Sequence, residues 1–280
     1  MSLPVFHRVA ELRRELAPRR DAGQVIAFVP TMGALHAGHA RLIEAAAAAS
    51  SCVVVSVFVN PLQFNDSSDF DRYPRTLEAD AALCEAAGAQ IVFAPSAAEM
   101  YAQPQRSFVE VEEITDRLCG AFRPGHFRGM ATVVLKLFNI VQPKLAFFGE
   151  KDAQQLAVIR RMVADLNVPV EIVGVPTVRE PDGLAMSSRN RHLSPEERQI
   201  APALYEVLRG VAGELAGGAG EIAPLLAEAA SQLEARGLRV EYLEVVGRDT
   251  MQPVERITGP ALVAAAVWLG STRLIDNVAC

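Results

Sequence analysis

Short apolar runs that end on proline, an amide or glycine constrain this chain more than any other feature. One over 25–29 closes on Pro30, one over 52–59 on Asn60-Pro61, and one over 90–94 on Pro95. Two more follow at 145–148 and 170–173. In each, successive residues are apolar, so both faces of the strand are destined for burial. Helix-forming stretches separate them: Ala-rich 39–50, then 76–87, 130–141 and 152–166. Strands buried on both faces, alternating with helices, predict an α/β fold: a Rossmann-like parallel sheet with helices on both faces, over residues 1–177. The pattern then changes. Residues 178–191 are polar and contain Pro181-Asp182-Gly183, which suits a hinge loop. Ser194-Pro195-Glu196-Glu197 is a helix start, with serine as cap, proline in the first turn and acids near the positive dipole end. Helices over 195–210 and 222–236 flank a Gly-rich joint at 213–220. Strands over 239–246, 261–269 and about 273–275 complete a smaller C-terminal α+β domain, 178–280.

Half of the 280 residues are apolar and 21% are charged, enough for a sizeable core. The net charge of −6 argues against a nucleic-acid partner, which needs a basic face. The longest apolar runs fall short of the ~20 residues that span a bilayer. The start of the chain is charged and amphipathic, without a signal-peptide core. No membrane association and a cytoplasmic location are therefore expected. Cys52, Cys84, Cys119 and Cys280 show no CxxC or zinc spacing and read as reduced thiols.

The most informative motif is Val29-Pro30-Thr31-Met32-Gly33-Ala34-Leu35-His36-Ala37-Gly38-His39. It joins the end of a strand to the start of a helix, where open α/β sheets bind ligands. A helix N-terminus offers unpaired N–H groups and a positive dipole end, so phosphate suits it. Gly33 and Gly38 have the separation of P-loop glycines, but His39 follows where a P-loop has Lys-Ser/Thr. His36 and His39, three apart, share a helix face. Two imidazoles there can donate to phosphoryl oxygens whose charge grows in a transition state. A surface accident and half a metal site are the competing readings for the pair.

Three further clusters add to it. Gln63 follows the second strand and can orient a small polar substrate without adding charge. Asp80 reads equally as a metal or water-shell carboxylate and as a helix-start acid. Gly149-Glu150-Lys151-Asp152 lies at another strand-to-helix junction, and Lys151 is one of only three lysines; a compact ammonium suits phosphate, with Gln155 one helical turn further on. Met186-Ser187-Ser188-Arg189 offers hydroxyls and a guanidinium that can fold over phosphates. No GxSxG, Cys/His or HExxH signature is present. The set favours in-line displacement at phosphorus, catalysed by positioning and charge stabilisation.

These motifs identify a resemblance. VPTMGALHAGH, NPLQF with DFDRYPRT, RPGHFRGMATVVLKLFNIVQP, FGEKDAQQL and VREPDGLAMSSRNRHLS together resemble the pantoate–β-alanine ligase family of the nucleotidyltransferase superfamily, nearly end to end. The resemblance implies that ATP and pantoate form pantoyl adenylate and pyrophosphate, and that β-alanine then gives pantothenate and AMP. It implies an ATP site formed by Met32, Gly33, Ala34, Leu35, His36, Ala37, Gly38 and His39, with Gly149, Glu150, Lys151, Asp152, Val178, Met186, Ser187, Ser188 and Arg189. His36, His39, Lys151, Ser187, Ser188 and Arg189 would act on the phosphates. Gln63, Gln155 and Met32 would bind pantoate. Mg²⁺ would travel with ATP, and a homodimer is the family habit. The 178–280 domain would act as a lid. The chain departs from the family at Asn65–Asp69, at His192 and at Lys144. Two alternatives stand: a nucleotidyltransferase acting on a phosphorylated cofactor precursor, which would need an extra cationic pocket, and a non-catalytic nucleotide sensor.

Overall fold

The structure, a computed structural model, describes residues 3–65, 67–218 and 221–280. Asp66, in the stretch that departs from the pattern of the resembled family, and Ala219-Gly220, at the end of the Gly-rich joint, lie outside them. The elements run in the order β1 (Val5–Phe6), α1 (Val9–Asp21), β2 (Ile26–Thr31), α2 (Ala37–Ala49), β3 (Cys52–Val57), α3 (Ser67–Arg72), α4 (Leu77–Ala86), β4 (Ile91–Phe93), α5 (Ala97–Met100), α6 (Cys119–Phe122), α7 (His126–Val141), β5 (Leu145–Gly149), α8 (Ala153–Asp165) and β6 (Glu171–Val175). Then come α9 (Pro195–Ile200), α10 (Ala203–Ala216), α11 (Ile222–Ala235), β7 (Arg239–Gly247), β8 (Ala261–Leu269) and β9 (Thr272–Ala279). Single 3₁₀ turns occupy Pro61–Gln63, Glu150–Asp152 and Ser188–His192. No helix among the described residues is long and apolar enough to cross a membrane.

The chain divides into two compact units. The first comprises 1–112, 123–150 and 158–176; the second takes 113–122, 151–157 and 177–280. The first unit holds a six-stranded, all-parallel sheet in the order β1-β4-β3-β2-β5-β6. From β2 the chain moves outward to β3 and β4, then returns to place β5 on the other side of β2. The strand order therefore reverses between β2 and β5, and at such a switch point the carboxyl ends of the strands leave a crevice. Ala27, Val29, Val53, Val55 and Val92 from the sheet pack with Leu42, Ile43 and Ala46 of α2. The second unit holds an antiparallel meander, β7-β8-β9. Its core joins Leu204, Val207, Leu208 and Val211 of α10 and Leu233 of α11 to Val263, Ala265 and Val267 of β8.

Several boundaries differ from the sequence reading. α7 begins at His126 rather than at 130, because Gly125 takes a left-handed φ of 78° and starts the helix early. The helix expected over 195–210 is two, α9 and α10; Pro202, which has no N–H, stands at the joint. The last strand runs to Ala279, since pairing with β8 supports residues without a strong apolar pattern of their own. β1 is only a two-residue partner of β4.

One glycine decides how the first unit closes. Gly129 of α7 lies so near the Pro61–Gln63 turn that a β-carbon there would stand 2.0 Å from the Leu62 carbonyl oxygen. Backbone cannot yield as a flexible side chain can. Gly129→Ala is expected to cost at least the ~1–3 kcal/mol of an overpacked core. A melting curve should show a clear fall in Tm, and an unchanged Tm would mean that the helix and the turn are not in this contact.

Candidate active site

At the end of β2 the chain turns through two successive left-handed residues, Gly33 (φ 85°) and Ala34 (φ 52°), before α2 begins. A left-handed alanine costs roughly 1 kcal/mol or more. Asp80 of α4, buried at 2% exposure, offsets it. Its Oδ2 accepts from the Ala34 N–H at 3.1 Å and its Oδ1 from the Leu35 N–H at 2.8 Å. The Thr76 hydroxyl lies 3.3 Å from Oδ2. Hydrogen bonds to a buried carboxylate contribute about 1.5–3 kcal/mol each. Burial, reinforced by Asp80, pushes the neighbouring Cys84 thiol up to about 12. The Asp80 oxygens face the loop backbone, and no group of three or more His, Cys, Asp or Glu that could hold a metal gathers among the described residues.

The turn delivers His36 as the N-cap of α2. The Gly38 N–H donates to His36 Nδ1 at 3.1 Å, and the His36 N–H donates to His39 Nδ1 at 3.3 Å. The rings lie 4.2 Å apart between centroids. Each Nδ1 accepts, so each neutral ring carries its proton on Nε2. The helix start thus presents two imidazoles in a defined tautomer, each a donor through Nε2.

Gln63 is buried beside this loop, and its amide is oriented by Asn60, at the end of the segment after β3. Asn60 Oδ1 accepts from the Leu62 N–H at 3.3 Å and from the Tyr101 hydroxyl at 2.8 Å. Its Nδ2 donates to the Gly129 carbonyl and to Gln63 Oε1, both at 3.1 Å. Backbone groups fix the Asn60 amide, which in turn leaves Gln63 presenting Nε2, a donor, 2.9 Å from Met32 Sδ. The Gln63 carbonyl also lies 2.8 Å from His126 Nδ1. Sequence reasoning misses Asn60, Tyr101 and His126. It reads Asn60 only as the stop of a strand; Tyr101 and His126 come from distant segments, and no local pattern marks them.

In the second unit, Lys151, Ser187, Arg189, Asn190, Arg273 and Asp276 line one cleft. Lys151 Nζ lies 4.0 Å from Asp152 Oδ1, and its carbonyl accepts from Asn277 Nδ2 at 2.9 Å. Arg179 holds Asp276 through two contacts, 2.6 and 3.0 Å, and its guanidinium sits 3.7 Å over the Tyr205 ring. The segment expected as a hinge loop carries its own backbone and side-chain contacts. Arg179 bridges Ala185, the Met186 N–H donates to the Val178 carbonyl, and Ser187 caps a 3₁₀ turn through the Arg189 N–H at 3.2 Å. Ser188 opens that turn and is not among the residues lining the cleft. Of the adjacent glutamines on α8, Gln154 is the buried one; it bonds Cys119 N and the carbonyls of Ile114 and Arg117. Gln155 remains half-buried one position on. Gly149 and Glu150 end β5 and start the following 3₁₀ turn in the first unit.

The fold is that of an α/β protein with a histidine-bearing turn at the switch point of its parallel sheet. The chain belongs to the pantoate-beta-alanine ligase family, whose sequence profile matches residues 4–279. Pantothenate synthetase 1 of Bradyrhizobium diazoefficiens is 56% identical over 277 residues, covering 99% of this chain and 98% of that protein. The crystal structure of pantothenate synthetase from Thermus thermophilus superposes with a TM-score of 0.92 at 48% identity, covering 99% of both chains. A pantoate-beta-alanine ligase from Francisella tularensis, described as complexed with beta-gamma ATP and beta-alanine, matches with a TM-score of 0.83 at 34% identity, covering 99% of this chain and 97% of that one.

Removing the carboxylate of Asp276 leaves Arg179 charged and without its partner in a largely buried place. Asp276→Ala is expected to cost about 3–5 kcal/mol. Urea unfolding checks this; a cost below about 1 kcal/mol would mean that the pair does not hold the segment.

Proposed function

We propose that this chain condenses pantoate with β-alanine at the expense of ATP, giving pantothenate, AMP and pyrophosphate through pantoyl adenylate. The observation that carries the reading is the histidine pair, fixed as two Nε2 donors at the start of α2, in a chain of this family. One pantoate carboxylate oxygen attacks the α-phosphorus of ATP, and the bond to the pyrophosphate oxygen breaks. The nucleophile is already ionised, so no general base is needed. Catalysis then consists of positioning and of taking up the charge that moves onto the departing pyrophosphate. His36 and His39 supply donors for that charge, with His39 also able to protonate the leaving group. Lys151, Ser187, Ser188 and Arg189 bind phosphate oxygens. Met32 to His39, Gly149 to Asp152, Val178 and Met186 to Arg189 contact the nucleotide.

In the second step the β-alanine amine attacks the acyl carbon. The tetrahedral intermediate expels AMP, and the ammonium proton is lost to solvent. Gln63 donates to an oxygen of pantoate, and its fixed amide favours an acceptor at that point. Gln155 and Met32 complete the pantoate contacts. Magnesium enters as part of the nucleotide substrate, bound through phosphate and its own water; no step is assigned to a resident metal. Family resemblance supports action in the cytoplasm and as a homodimer, which sedimentation equilibrium checks. The alternatives, transfer to a phosphorylated precursor and nucleotide sensing, have no observation in their favour.

Pyrophosphate–ATP isotope exchange tests the first step. Exchange is expected to require pantoate and not β-alanine; exchange without pantoate, or none despite ATP binding, would overturn the reading. His39→Ala is expected to slow exchange by about a hundredfold or more, as for loss of one preorganised donor. Gln155→Ala is expected to raise the pantoate KM and leave the ATP KM alone, and the reverse pattern would remove it from the pantoate site.

A further inference from the structure

We propose that Asp80 is a positioning residue: its carboxylate holds the left-handed Gly33-Ala34 turn and thereby sets the tautomer and placement of His36 and His39. The inference rests on the ligase reading for its kinetic consequence and on geometry for its structural one. Three observations converge. Ala34 has a β-carbon and still takes φ 52°, a conformation that alanine keeps only when its surroundings impose it. The two amides on either side of the Ala34 α-carbon are the ones Asp80 grips, at 3.1 and 2.8 Å. A β-carbon on Gly33 would lie 3.0 Å from Asp80 Oδ2 and 3.1 Å from Val57, so the carboxylate also closes the space beneath the turn. The next residue is His36, whose own amide must reach His39 Nδ1 for the pair to keep its tautomer.

Asp80 is spent on the Ala34 and Leu35 amides and the Thr76 hydroxyl. It consumes two backbone donors that would otherwise sit at the start of an anion-binding loop, so anion recognition falls to the side chains of the pair. A metal ligand would predict something different: loss of affinity for magnesium, with no effect on histidine tautomer.

Asp80→Asn keeps the shape and one acceptor oxygen but sets an NH₂ donor against a backbone N–H. The test compares Asp80→Asn with the double variant Asp80→Asn/Ala34→Gly, in which glycine adopts the left-handed turn without help. Pantoate-dependent exchange is expected to fall at least tenfold in Asp80→Asn, through kcat, with the pantoate KM within about twofold and the magnesium half-saturation unchanged. Adding Ala34→Gly is expected to recover at least threefold of the loss. Imidazole ¹⁵N spectra are expected to show unprotonated Nδ1 at His36 and His39 in the wild type, and a mixture in Asp80→Asn. Full activity in Asp80→Asn, rescue by excess magnesium, no recovery on adding Ala34→Gly, or an unchanged tautomer signature would each overturn the proposal. Should Asp80→Asn fail to fold, Thr76→Val, which removes the hydroxyl 3.3 Å from Oδ2, is expected to show a milder loss in the same direction, and full activity there would count against the proposal. If the wild type itself shows no exchange, the ligase reading fails, while the ¹⁵N spectra still decide the structural claim.

Discussion

A parallel strand buried on both faces must release its backbone polar groups somewhere, and at the carboxyl end of β2 that need is met by one carboxylate. Asp80 takes the amides of Ala34 and Leu35 out of solvent and pins the chain as it leaves the sheet. The rest of the first unit's chemistry is arranged around that fixed exit. α2 starts where it does because His36 can cap it, and His36 can cap it because the turn before it is held. Each bond is modest alone; together they orient both imidazole rings at the start of α2.

A second polarity is fixed nearby by the same means. The Leu62 amide and the Gly129 carbonyl tell the Asn60 amide which way to face, and Asn60 tells Gln63. The absence of a side chain at Gly129 lets α7 and the Pro61–Gln63 turn approach closely enough for this. Packing, backbone and side-chain amide therefore act as one device, in which a neutral residue presents a donor of known direction.

Much of this was legible in the sequence, for a physical reason. Strand ends, helix caps and phosphate-friendly turns are written in contiguous residues, so local chemistry picks out the His36–His39 turn, Lys151 and the Ser187–Arg189 segment. The parallel sheet and a separate, smaller α+β unit were legible from apolar runs and their spacing; the antiparallel pairing of that unit's strands was not. What local pattern does not carry is the partner across the fold. Asp80 stands 46 residues from Ala34, so its carboxylate looks like a helix-start acid or a metal ligand. Tyr101 bonds Asn60 from 41 residues away with no motif around it. The adjacent Gln154 and Gln155 show the limit of helical periodicity, which marks a shared face with Lys151 but does not reveal that Gln154 is the one spent on backbone. The contacts of the polar 178–191 stretch are not legible locally, because the Asp276 that ties down Arg179 arrives only with the last strand.

The central claim is that a carboxylate oxygen of pantoate becomes bonded to the α-phosphorus of ATP before any amide forms. Pantoate labelled with ¹⁸O in its carboxylate, turned over with ATP and β-alanine, tests this by mass spectrometry of the products. One labelled oxygen should appear in AMP and none in pyrophosphate. Unlabelled AMP, or label in inorganic phosphate alongside ADP, would contradict that order of events.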